Sequence, residues 1–353
     1  MIAYIICIVF ILISIHFCRP KTFHEAYFSK EQSTCVRGLL SVMVIFHHIS
    51  QGMDLTIHHY PFFKMSGFLI VALFFFYSGY GLLFSLLHKK DYMKTFIQKR
   101  IPSIYIPFVS INFIYIVCQM FLYGTKYSII SFIKGVLGIQ LVSGIFWYMW
   151  VLLLFYLVFY ILFSSFSLKK AIWYLTFFVG AFIVTLATTK GIDNYWYIST
   201  PAFIAGIWFA HKEKEIVRFI QKNYVLTFVT LFIAVMICIM YILGIKIPFG
   251  NTIIWYLVNL GITVLLSFLL VTILLKCRLQ SSLLSFLGNI SLEIYLLHIL
   301  WIDFFRNIGV ADKSPLLYIF LVLECSIILA YLVHKWNQWL LHKITSKTQK
   351  KTQ

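Results

Sequence analysis

Segment after segment of this chain is apolar for about twenty residues, the length an α-helix needs to cross the hydrocarbon core of a bilayer. Lipid offers no water to a backbone N–H or C=O, so such a segment must satisfy its polar groups internally, as a helix does. By that rule spans are expected near residues 2–18, 36–53, 67–87, 101–123, 146–166, 171–189, 195–211, 224–244, 253–275, 284–305 and 315–341. The first and seventh are short. The stretch 126–143 is also apolar, but Lys126, Lys134 and two glycines mark it as an interfacial or re-entrant helix rather than a twelfth span. The expected fold class is therefore all-α, a polytopic membrane helix bundle of about 11 transmembrane helices. An N-terminal helix and loop (1–35) precede one membrane domain (36–341), and a basic tail (342–353) follows it.

Composition leaves little room for anything else. The chain is 61% hydrophobic and 11% charged, against roughly 25% charged in soluble proteins. Its net charge of +18 does not point to nucleic acid, because the bases fall between apolar segments, where membrane topology accounts for them. With the N-terminus outside, twenty of the 29 Lys and Arg lie in the inner connections and seven in the outer ones, with Arg37 and Lys335 inside spans. That bias is expected of a multi-pass protein of the bacterial plasma membrane with a cytoplasmic C-terminus resting on anionic lipid. The first segment has no basic residue before it and no small-residue cleavage site, so a retained helix is expected, not a signal peptide. The seven cysteines are scattered and show neither metal-ligand spacing nor a disulfide framework. No metal and no bound cofactor are expected.

Polar groups inside the spans are the places to look for chemistry, because ionisable side chains in lipid are costly. VRGLLSVMVIFHHIS (36–50) opens with Arg37 and carries His47 and His48. Eleven residues separate Arg37 from His48, which on a helix puts them within about 20° of one face and about 16 Å apart along the axis. Ser41 shares that face, whereas His47 points about 80° away. The charge bias puts Arg37 at the cytoplasmic end and His48 deeper.

Other clusters follow. HKKDYMKTFIQKRIP (88–102) carries five bases, which serve topology or form a rim for phosphates; Arg100 is the best candidate, with Ile-Pro after it starting a helix. In FFFYSGYG (74–81), Ser78, Gly79 and Gly81 suit close helix packing, or close approach of backbone to a ligand. IFWYMW (145–150), with Trp147, is an interfacial aromatic belt or an aromatic wall around a sugar or acyl chain. In LGNISLEIYLLHIL (287–300), Ser291, Tyr295 and His298 share one helical face, and Asn289 and Glu293 a second. Glu293 needs a basic partner on a neighbouring helix, such as Arg37. Asn112, Asn259 and Glu324 are further intramembrane polar groups that nothing in the sequence ranks.

Taken in order, RG with a His eleven residues after the Arg, FFFYSGY, a basic patch ending KRIP, FWYMW and LGNISLEIYLLH resemble acyltransferase family 3. These are bacterial multi-pass membrane O-acyltransferases that modify cell-surface carbohydrates. The resemblance runs from residue 36 to about 300, and implies a core of ten helices preceded here by one extra N-terminal span. It implies that Arg37 and His48 are the paired essential residues, and that Arg100, Trp147, Tyr295 and His298 fall on other recurrent positions. It also implies acetyl-CoA or another acyl-CoA as co-substrate and a glycan hydroxyl, free or lipid-linked, as acceptor. Glu293 stands where a small polar residue is frequent. No esterase-like extracytoplasmic domain is expected within these residues, which leaves room for a separate transferase partner. His48 would serve as general base on the acceptor hydroxyl, or carry the acyl group itself. On physics alone the same intramembrane groups also suit a transporter or flippase for a lipid-linked sugar.

Overall fold

The computed structural model describes residues 2–19, 21–52, 61–244 and 252–351. Helices dominate it in chain order: α1 (Ile2–Ser14), α2 (Lys30–Gly52), α3 (Pro61–Met65), α4 (Gly67–His88), α5 (Phe96–Tyr123), α6 (Ile129–Val136), α7 (Trp147–Ser165) and α8 (Leu168–Thr188). There follow α9 (Pro201–His211), α10 (Glu213–Lys222), α11 (Tyr224–Ile242), α12 (Thr252–Leu274), α13 (Ser282–Asn289), α14 (Ser291–Asn307), α15 (Val310–Lys313) and α16 (Pro315–Lys351). Two three-residue strands, β1 (Ile15–Phe17) and β2 (Cys277–Leu279), and two three-residue 3-10 helices, Gly144–Phe146 and Asn194–Trp196, complete the described elements.

Among the described residues, α2, α4, α5, α7, α8, α11, α12 and α16 are long and apolar enough to cross a membrane, and the pair α13 and α14 makes a ninth if it is one broken span. The chain is thus an all-α polytopic membrane bundle. The first and seventh expected spans, 2–18 and 195–211, hold helices of 13 and 11 residues, about 20 and 17 Å long at 1.5 Å per residue. Residue 53, the end of the second expected span, lies outside the described residues, as do the last two residues of the expected tail. The rest of that tail continues α16 to Lys351.

The chain divides into two units. The first comprises Met1–Ser50, Asp54–Lys90 and Ser165–Gly288. Here α1 stops at Ser14 because the next residues pair as a strand: Ile15, His16 and Phe17 lie opposite Leu279, Arg278 and Cys277. The antiparallel ribbon extends through Gln280 N–H to the Ser14 carbonyl and Cys18 N–H to the Lys276 carbonyl, both 2.8 Å. A β-branched and an aromatic residue favour this state, and the ladder supplies the partners that the backbone would otherwise have found in a longer helix.

Glycines set the close contacts in this unit. A Cβ at Gly79 would strike the carbonyl of Phe203, and one at Gly206 that of Phe76, so α4 and α9 touch backbone to backbone through reciprocal glycines. The same device joins α2 to α13: Gly38 faces the Leu284 carbonyl, and Gly288 faces that of Thr34. Gly79, singled out in the aromatic run, and Gly38, which follows Arg37, are therefore packing residues. Gly81 has nothing within 4 Å of the place its Cβ would occupy.

The second unit comprises Gln51–Met53, Asp91–Ser164 and Asn289–Gln353. Its α5 begins at Phe96, so Pro102 lies inside the helix and Arg100 precedes it in the second turn instead of ahead of the helix. The expected interfacial segment is the eight-residue α6, with Ile129, Ile130 and Ile133 exposed. The last carbonyls of a helix have no intrahelical donor. Here three side chains supply donors at consecutive residues: Asn112 Nδ2 to Val136 O (3.3 Å), Tyr105 Oη to Leu137 O (3.1 Å) and Trp150 Nε1 to Gly138 O (2.8 Å). Asn112 is thereby accounted for as a tether of α6 to α5.

Candidate functional site

In the first unit α2 runs unbroken from Lys30 to Gly52, so the helical spacing holds and Arg37 and His48 share a face. Arg37 is half-buried and bends back along its own helix: Nε donates to the Ser33 carbonyl (3.4 Å) and Nη2 to Thr34 Oγ1 (3.1 Å). Its charge acts on the hydroxyl of Tyr77 on α4, a buried group with no hydrogen-bond partner among the described residues. Ser78, the next residue, is half-buried. Tyr77 went unranked in the sequence because it reads as one more aromatic in an aromatic run.

The two histidines differ. His47 is buried, and its Nδ1 lies 2.6 Å from the Phe63 carbonyl. A carbonyl only accepts, so Nδ1 carries the proton. The ring lies where a Cβ at Gly67 would have to go, so His47 is clamped between α3 and the start of α4. The half-buried His48 sits edge-on to it, ring centroids 4.6 Å apart.

A second polar knot in this unit was not legible beforehand. Glu213, at the start of α10, accepts from Tyr27 Oη (2.5 Å) and from Tyr80 Oη (3.2 Å to each carboxylate oxygen). Burial, and then the bond to the Glu213 carboxylate, push the Tyr27 phenol well above its ordinary value. The folded state therefore favours the neutral phenol: its contribution is complete below the ordinary tyrosine value of about 10 and falls as pH rises beyond it. Thermal unfolding followed in detergent from about pH 9 to about pH 11 should show a steeper loss of stability in the native chain than in Tyr27→Phe. Equal slopes would refute the assignment.

The remaining expected site residues belong to the second unit. Arg100 donates from Nε to Tyr92 Oη (3.1 Å), with its guanidinium carbon 5.9 Å from the centre of that ring. Trp147, Tyr148, Tyr295 and His298 come together as an aromatic group. Trp147 and Tyr148 centroids lie 6.2 Å apart, Tyr148 and Tyr295 5.2 Å, Tyr295 and His298 6.2 Å. The Tyr295 hydroxyl donates to the Ile145 carbonyl (3.1 Å), tying α14 to the entry of α7, and His298 Nδ1 donates to the Ile294 carbonyl (3.0 Å).

Glu293, which needed a basic partner, pairs with His334 of α16 at 3.0 Å, and Gln338 Nε2 lies 2.7 Å from the far nitrogen of that imidazole. Within the second unit its partner is thus an imidazole of the last helix. His334 and Gln338 stand four apart, a spacing visible in the sequence but set within a 27-residue apolar segment. Double-mutant cycles with Glu293→Gln and His334→Gln should return a coupling energy of about 0.5–3 kcal/mol in thermal or denaturant unfolding. Additive effects would show that the pair contributes nothing.

The family model Acyl_transf_3, described as an acyltransferase domain, matches residues 31–335, which takes in α2 through most of α16. No curated protein matches the chain, nor does any solved structure. With its long apolar helices and a family match over most of its length, the chain belongs to acyltransferase family 3 and is a multi-pass membrane acyltransferase.

Proposed function

We propose that this acyltransferase moves an acetyl or longer acyl group from acyl-CoA to a hydroxyl of a cell-surface polysaccharide or its lipid-linked precursor. The acceptor oxygen bonds to the thioester carbonyl carbon, the carbon–sulfur bond breaks, and CoA leaves. A neutral hydroxyl is a poor nucleophile, so the step needs a base, and an imidazole titrates in the right range. His48 takes the hydroxyl proton and passes it to the departing sulfur. The observation that carries this reading is the division of labour on α2: His47 is clamped by the Phe63 carbonyl, whereas His48 shares a face with Arg37.

Within the first unit, Arg37 holds donor phosphates, and Ser78 is a substrate contact. Within the second, Arg100 is a phosphate contact, and Trp147, Tyr295 and His298 form an aromatic wall for sugar or acyl chain. Glu293, held by His334, is a further substrate contact. The protein sits in the bacterial plasma membrane with its N-terminus outside, and acyl-CoA enters from the cytoplasm. A separate extracytoplasmic transferase would complete delivery if the acyl group is handed on.

The test is transfer of label from acetyl-CoA by the purified protein in detergent to a hydroxyl-bearing glycan. Enzyme-dependent appearance of labelled ester supports the proposal. Transmembrane movement of a lipid-linked sugar with no label transferred would instead identify a carrier.

A further inference from the structure

A cavity of about 560 Å³ opens at the N-terminal end of α2, lined from one side by His24, Ser29 and Gln32 and from the other by Arg278, Ser282 and Ser285. That volume lies in the range of small-molecule sites. The β1–β2 ribbon and the glycine contacts between α2 and α13 hold these walls together.

The wall is rich in donors. Gln32 is 2% exposed, and its Oε1 accepts the Leu279 N–H at 3.2 Å. That bond fixes the amide, so the remaining group is Nε2, a donor that no described residue satisfies. A buried donor without a partner is costly in a chain alone. Two helices, α2 and α13, begin at this wall, and each has one first-turn amide capped by a serine: Gln32 N–H by Ser29 Oγ and Leu284 N–H by Ser281 Oγ, both 3.2 Å. The uncapped first-turn amides of α13 and both dipoles favour an anion. Arg278 is the fixed cation of the lining; Glu31 opposes it, but it is exposed and engaged with Ser29 and its own backbone N–H. Arg37 also folds back towards this end of α2, through Thr34.

We propose that this cavity binds a phosphate group, which accepts from Gln32 Nε2, Arg278 and the uncapped first-turn amides of α13. Phosphate offers only acceptors and several of them, which matches a wall with surplus donors. Its source is either the nucleotide portion of a CoA thioester, in which case the site rests on the donor proposed above, or the headgroup of an anionic lipid.

The test uses the full purified chain. Inorganic pyrophosphate and coenzyme A are titrated in detergent, and phosphatidylglycerol is compared with phosphatidylcholine in nanodiscs. The variants are Arg278→Gln and Gln32→Glu; the second keeps the acceptor for Leu279 N–H while replacing the donor by a carboxylate. Lys190→Gln, an exposed site elsewhere in the same unit, controls for net charge. Saturable binding that each cavity variant weakens about tenfold, with the control unchanged, supports the site. Coenzyme A following that pattern identifies a nucleotide source, and phosphatidylglycerol alone following it a lipid source. No saturable binding of any probe, or equal affinity in native chain and cavity variants, overturns the inference. Label transfer that persists in either case would leave the acyltransferase reading standing.

Discussion

Replacing His48 with Ala should reduce label transfer from acetyl-CoA by about 10²–10⁴-fold, the usual contribution of a positioned general acid–base group. That corresponds to about 3–5 kcal/mol of transition-state stabilisation. The loss should fall on kcat and on kcat/KM alike, because the proton moves only in the transition state. Thermal unfolding of the variant is followed in parallel, so that the loss of transfer is read on folded protein. His47→Ala should behave in the opposite way. It removes the tie to Phe63 and opens a gap beside Gly67, costing about 1–3 kcal/mol of stability, while folded protein keeps its turnover. Near-native activity in His48→Ala would eliminate the base assignment. A stable labelled adduct on the native enzyme, absent in the variant, would instead favour transfer through an acyl-imidazole.

The second large effect is structural. Gly79→Val or Gly206→Val should each lower stability by about 3 kcal/mol, the upper end of the range for overpacking. The atom in the way is a backbone carbonyl, of Phe203 in one case and Phe76 in the other, and a carbonyl in a helix cannot rotate aside as a flexible side chain can. The expected result is a lower unfolding temperature in detergent and a smaller yield of folded protein. Gly81→Ala is the control. The same run of sequence places it where a new Cβ meets nothing within 4 Å, so it should be neutral or gain about 0.5–1 kcal/mol from helix propensity. Equal damage from all three substitutions would mean that the aromatic run is merely intolerant of change and that the α4–α9 contact is not special.

Some of this is legible in the sequence. Apolar segment length is a local property, and lipid enforces helix on whatever satisfies it, so the long spans lay close to where they were expected. The shared face of Arg37 and His48 was equally local, since it depends only on helical pitch. The short helices α1 and α9 were not legible from length alone. Ile15–Phe17 leaves the helical state because β2, some 260 residues later, offers it a ladder, and no window of sequence contains both.

The candidate site divides along the same line. The sequence by itself determined the membrane class, the family resemblance, and which polar residues stand on one face of one helix, because each follows from order and pitch within a single segment. Only the tertiary structure decided which histidine is clamped, since Phe63 and Gly67 reach His47 from another part of the chain. It alone gave Glu293 an imidazole partner and brought Tyr27 and Tyr80 to Glu213. It also gathered Gln32 and Arg278 around one cavity. The physical reason is common to all four: the need of a buried polar group for a partner is written locally, but the partner is chosen by how the segments pack.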